Sequence, residues 1–226
     1  MVLAADASDT PRAQAALARL CQTYWYPLYA YVRRRGHGAA DAQDLTQEFF
    51  ARLLEQNWLA QADRQRGRFR TFLLSAMSHF LANQWHKDHT QKRGGFAQFV
   101  SLDIGTAETR YAHEPLDPHT PEEAYERRWV LALLDHVLER LREEHASQNK
   151  TQLFEALKPC LVGDRQGQPY AALALQLQLS EAALKVTVHR LRRRYRQLLR
   201  DEIAHTVASP NEVEEELRYL FVVLAR

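Results

Sequence analysis

The side chains best placed for chemistry lie between Pro169 and Arg196, in the run PYAALALQLQLSEAALKVTVHRLRRRYR. Lys185, His189, Arg190, Arg192, Arg193 and Arg196 supply cations and hydrogen-bond donors, the groups that a polyanion with readable base edges would demand. At about 100° per residue, Leu184, Val188, Leu191 and Tyr195 fall on one side of a helix. Lys185, His189, Arg192 and Arg196 fall on another, so one side packs and the other forms a basic ridge. Such a helix fits the major groove of DNA, where residues near its N-terminus reach base edges and later arginines neutralise phosphates. Lys185, Val186, His189 and Arg190 are the base-reading candidates, and Arg192, Arg193 and Arg196 are the phosphate contacts. A solvated arginine-rich surface helix is the plainer reading, but a turn and a cap accompany the basic side.

Those companions place the ridge. Tyr170 to Leu177 reads as a short helix with Leu173, Ala174 and Leu177 as its contacts, and Ala174 is small enough for a second helix to cross closely. Leu179 plugs the turn. Ser180 is placed to cap the second helix by accepting from its orphan amides, and Glu181 sits at the positive end of the dipole. The whole has the form of a helix-turn-helix.

Upstream, Ala13 to Arg35 reads as an aromatic-rich helix with Tyr24, Trp25, Tyr26, Tyr29 and Tyr31 as packing residues, kinked at Pro27 and broken by Gly36 and Gly38. Asp41 to Glu55 carries Leu45, Phe49, Leu53 and Leu54 on one stripe, leaving Asp44, Gln47, Glu48, Arg52 and Glu55 for a partner. After a polar loop, Ala62 to Arg68, a third helix runs from Phe69 to about His89. Its apolar stripe is Phe69, Phe72, Leu73, Ala76 and Phe80. These helices should form one bundle.

Gln91 to Thr120 holds Gly94, Gly95, Gly105, Pro115 and Pro118 without a sustained period, which reads as an extended linker. Pro121 then opens a long amphipathic helix to about His145, with Glu122 and Glu123 at its positive end. Thr151 to Leu161 is a shorter helix. Asn211 to Ala225 is an amphipathic helix with an acidic start, which either pads the second domain or restrains a basic helix.

A net charge of +2 hides segregation along the chain. Trp58 to Gly95 and Pro169 to Arg200 are basic, whereas Asp103 to Glu126 carries seven acids against Arg110. With 46% hydrophobic and 26% charged residues, a membrane protein is excluded in favour of packed cores. No apolar run approaches the length of roughly 20 residues needed to span a bilayer. Met1 to Thr10 lacks a signal pattern. Cys21 and Cys160 are far apart and lack neighbours at ligand spacing, so no disulfide, metal site or cofactor is expected, and a reducing, cytoplasmic setting fits. The expected fold class is all-α: two small helical domains joined by an acidic linker, the second containing the helix-turn-helix. The expected boundaries are 1–95, 96–120 for the linker, 121–208, and 209–226 for a helical extension.

Tyr170, Ala171, Leu179, Ser180, Glu181, Lys185, His189 and Arg190 resemble the promoter-distal domain of bacterial sigma factors of the extracytoplasmic-function type, in the sigma-70 family. Gln178 departs from the family, which places glycine before the turn leucine; a left-handed residue there would be strained. DAQDLTQEFFARL, from Asp41, resembles the family segment that docks on the polymerase clamp, which implies Asp44, Gln47, Glu48 and Arg52 as core-binding residues. FRTFLLSAM, from Phe69, resembles the following helix, and Gln61 to Arg68 the loop that captures a flipped base of the minus-ten element. That resemblance implies Arg66, Arg68, Phe69, His79 and Asn83 as minus-ten contacts. The acidic stretch stands where the family's linker threads toward the polymerase active centre, as a mimic of nucleic acid. The resemblance, over about residues 15 to 205, implies a non-enzymatic factor whose partners are core RNA polymerase and promoter DNA, with an anti-sigma factor or other regulator besides.

Two rivals stand beside it. One is a helix-turn-helix regulator that binds operator DNA without core polymerase, its N-terminal bundle sensing a ligand or protein. The other is a nucleic-acid enzyme with His86, Asp88 and His89 as a metal cluster. Against it, neighbouring positions on a helix point different ways, and no phosphate loop or nucleophile motif occurs elsewhere.

Overall fold

Ala, Leu, Arg, Gln and Glu lose little rotamer freedom in a helix, and apolar residues recur along this chain at helical spacing. Every regular element among the described residues is accordingly a helix. The structure, a computed structural model, describes residues 11–55, 68–87, 104–113, 120–161 and 170–225. Its helices are α1 (Pro11–Arg34), α2 (Ala39–Glu55), α3 (Phe69–Lys87), α4 (Ile104–His113), α5 (Pro121–Ala146), α6 (Thr151–Leu157), α7 (Tyr170–Gln176), α8 (Glu181–Ala204) and α9 (Pro210–Ala225). A 3₁₀ turn, Lys158–Cys160, follows α6.

By compactness the chain forms two units, one of Met1–Ala132 with Ile203–Arg226 and one of Leu133–Glu202, so the division falls inside α5 and inside α8. In the first unit α1 runs through Pro27 and buries Trp25, Leu28, Tyr29, Tyr31 and Val32. Trp25 stacks on Tyr29 at 5.2 Å between centroids, which confirms the aromatic run as packing. Phe49, Phe50 and Leu53 of α2 and Leu73, Met77, Phe80 and Leu81 of α3 are also buried. Phe49 meets Phe80 at 5.8 Å and a steep angle, the arrangement that ring quadrupoles favour. Each such side chain contributes about 1.5–3 kcal/mol by leaving water.

Part of the expected extended linker is helical. Ala107 of α4 is buried, and the Glu108 carboxylate accepts from the Tyr29 hydroxyl and pairs with Arg33 at 2.9 Å. The Tyr111 ring meets Tyr29 at 6.4 Å, and the Arg110 guanidinium lies over Tyr26 at 4.4 Å. Gly105 and a stripe of only Ala107 and Tyr111 conceal the helix in sequence; tertiary contacts supply what propensity lacks. Burial raises the Tyr29 phenol well above its ordinary range, and the bond to Glu108 adds to that effect.

Two further acids of the block, Glu123 and Glu126, also do structural work. Thr120 and Glu123 form a reciprocal capping box at the start of α5. The Thr120 amide donates to Glu123 Oε2 at 3.0 Å, and the Glu123 amide donates to Thr120 Oγ1 at 3.2 Å. Glu126 pairs with Arg70 at 3.0 Å.

Arg70 is the buried hub of this unit. Its Nε donates to Glu216 Oε1 of α9 at 2.6 Å, and its guanidinium lies over Tyr219 at 4.2 Å and over Trp129 at 5.1 Å. The Tyr125 hydroxyl donates to the Arg70 carbonyl at 3.0 Å. Burial alone would depress the Arg70 pKa, but Glu216, with Tyr219 and Glu126 beside it, outweighs burial and holds the group above its usual value. Val213, Leu220 and Val223 of α9 are buried as well, so the C-terminal extension belongs to the core of the first unit.

In the second unit Leu133, Val137 and Leu141 of α5 are buried with Phe154 and Leu157 of α6, Leu173 and Ala174 of α7, and Leu184, Val188, Leu191 and Leu198 of α8. Arg194 grips Glu144 through two bonds of 2.8 and 2.5 Å, which ties α8 to α5 and holds the Glu144 carboxyl below its usual value.

Candidate nucleic-acid interface

α7 ends in a tight turn that aims α8. Gln178 has φ +54°. At that left-handed value a side chain is strained. The Leu179 amide reaches back to the Ala174 carbonyl at 2.9 Å and the Gln178 amide to Leu175 at 3.2 Å. These are the two bonds of a Schellman motif. Asn149 does the same job after α5 at φ +57°. Asparagine tolerates that conformation better. Gln178 is exposed, so Gln178→Gly should raise stability by about 0.5–1 kcal/mol, less the entropy glycine adds to the unfolded chain. A urea midpoint unchanged or lowered would contradict the strain.

Ser180 caps α8 as its position suggests. Its Oγ accepts from the Ala183 amide at 3.2 Å. Beyond the cap, Lys185, Val186, His189, Arg190, Arg193 and Arg196 are exposed, while Leu184, Val188 and Leu191 are buried beneath them. Val186, at 49% exposure, is an apolar residue set among cations. It suits a thymine methyl. Arg192 is half-buried and engaged within the fold. Its Nε and Nη2 both donate to the Cys160 carbonyl, at 2.9 and 2.7 Å, so the side chain that sequence assigned to phosphate holds the 3₁₀ turn against α8.

On α3, His79 and Asn83 are exposed one helical turn apart. Phe69 packs in the core: only 6% of it is exposed, and its ring meets Tyr24 edge-on at 5.5 Å. Arg68 is half-buried, with Nε 2.9 Å from Glu216 Oε2 and Nη2 3.5 Å from Glu215 Oε2. Sequence reasoning missed both carboxylates. Arg66 lies outside the described residues.

On α2, Asp44 is exposed and Gln47, Glu48 and Arg52 are half-buried. Arg52 pairs with Glu48 one turn away and lies over the Phe80 ring at 5.2 Å, which fixes the charge pattern of this face. Among the described residues no helix is long and apolar enough to cross a membrane, and no group of three acidic, histidine or cysteine side chains gathers for a metal. Of the rival metal cluster, Asp88 and His89 lie outside the described residues.

Residues 20–90, about a third of the chain, match the family model of sigma-70 region 2. The match takes in most of α1 and all of α2 and α3, and it supports kinship with the sigma-70 family, whose members are non-enzymatic transcription initiation factors. Comparison with curated proteins finds no match, nor does comparison with solved structures.

Proposed function

We propose that this chain is a cytoplasmic sigma factor of the extracytoplasmic-function type, which binds core RNA polymerase and directs promoter recognition. The match of residues 20–90 to sigma-70 region 2 carries the reading. In it, residues 1–95 bind core and melt the promoter, 96–120 link, 121–208 read duplex DNA with a helix-turn-helix, and 209–226 extend the fold. Asp44, Gln47, Glu48 and Arg52 meet the polymerase clamp. Arg66, Arg68, His79 and Asn83 meet the minus-ten strand, and Lys185, Val186, His189, Arg190, Arg193 and Arg196 meet the upstream element, with Ser180 setting the helix that carries them. Exposed donors and cations over a packed apolar side support that assignment for α8.

Capture of bacterial core RNA polymerase by the tagged protein, followed by initiation at a promoter selected from random sequence, tests it. Asp44→Ala with Gln47→Ala should weaken capture about tenfold or more, the loss typical of contacts at the centre of an interface. Specific duplex binding without any capture of core would identify an operator-binding regulator instead.

A further inference from the structure

We propose that α9 is an autoinhibitory latch: Glu215 and Glu216 hold Arg68 in the place that promoter DNA must take. The inference rests on the reading of Arg68 as a minus-ten contact.

The two arginines that flank Phe69 are held differently. Arg70 is locked, with 6% of its side chain exposed, two carboxylates on its guanidinium and aromatic rings at 4.2 and 5.1 Å. Arg68 is 29% exposed; Glu216 takes its Nε, Glu215 takes Nη2, and Tyr219 lies 5.7 Å from its Cζ. The donors that would grip a phosphate thus already bear carboxylates. Release of Arg68 is nevertheless cheap. Glu216 is 1% exposed, but it keeps Arg70 at 2.6 Å when Arg68 leaves. No buried charge is therefore stranded. Glu215 is 57% exposed. Its pair with Arg68 is of the solvent-screened kind that contributes little to stability. A phosphate, whose pairing with arginine is charge-assisted, can therefore displace Arg68 from α9 without unfolding the helix.

Binding of a fluorescein-labelled, mixed-sequence single strand of DNA to the full chain, alone and with core polymerase, tests the latch through the cycle of Glu215→Gln and Arg68→Ala. Glu215→Gln, an exposed change, should tighten binding about threefold in the presence of Arg68 and leave it unchanged in the Arg68→Ala background. Equal gains in both backgrounds would reduce the effect to general electrostatics and overturn the latch. So would no gain in either. If Arg68→Ala binds as tightly as wild type, Arg68 is not a DNA contact, and that reading falls together with the latch. Weakening by Arg68→Ala without any gain from Glu215→Gln sinks the latch alone.

Discussion

Glu216→Ala should lower the unfolding free energy by about 3–5 kcal/mol, the cost of leaving a buried cation without its partner. Glu216 is 1% exposed and takes Arg70 at 2.6 Å and Arg68 at 2.9 Å, so one substitution removes a carboxylate from two guanidiniums. Glu126 at 3.0 Å is then the remaining carboxylate on Arg70, and it holds only Nη1. The loss should appear as a lower urea midpoint at unchanged slope, and salt should alter it little because the pair is buried. Glu216→Leu combined with Arg70→Met removes both charges from the interior and should cost much less. A Glu216→Ala variant within about 1 kcal/mol of wild type would mean that Arg70 carries no electrostatic demand for α9.

The bond from Arg70 to Glu216 spans 146 positions, which explains why sequence alone did not reveal it. Local patterns were readable because they act locally. The apolar stripe of α8, the Ser180 cap and the left-handed strain at Gln178 each depend on residues within one or two turns, and each occurs in the structure. Helical phase sets Arg192 nearer than Arg193 to the apolar side of α8, yet it cannot reveal the Cys160 carbonyl that Arg192 meets, because another element supplies it. Phe69 likewise sits one residue from Arg68, but its burial depends on Tyr24 of α1. Glu122, Glu123 and Glu126 read as part of a diffuse acidic block, although threonine followed three residues later by glutamate is a legible capping box. Glu108, an acid of the linker credited with nucleic-acid mimicry, pairs with Arg33, so part of that acidity is fold hardware. Helix α4 was concealed for the opposite reason: only the aromatic face of α1 makes it worth forming.

The ridge on α8 should divide into three kinds of arginine and lysine when each is replaced by alanine. Lys185 is exposed one turn into α8, where a side chain reaches base edges. Lys185→Ala should cost about 1–3 kcal/mol on a selected promoter and little on unrelated duplex. Arg193 is exposed two turns further on. Arg193→Ala should weaken binding to every sequence alike and flatten the logarithmic salt dependence by about one charge. Arg192→Ala should leave affinity nearly intact and reduce stability by about 1–3 kcal/mol, because the Cys160 carbonyl loses a charged donor. Affinity for promoter and non-promoter duplex, measured with the polymerase-bound protein across a salt series, separates the first two, and urea denaturation isolates the third. A uniform, salt-dependent loss for Lys185→Ala would make α8 a sequence-blind phosphate clamp. Promoter choice would then rest on the minus-ten strand alone.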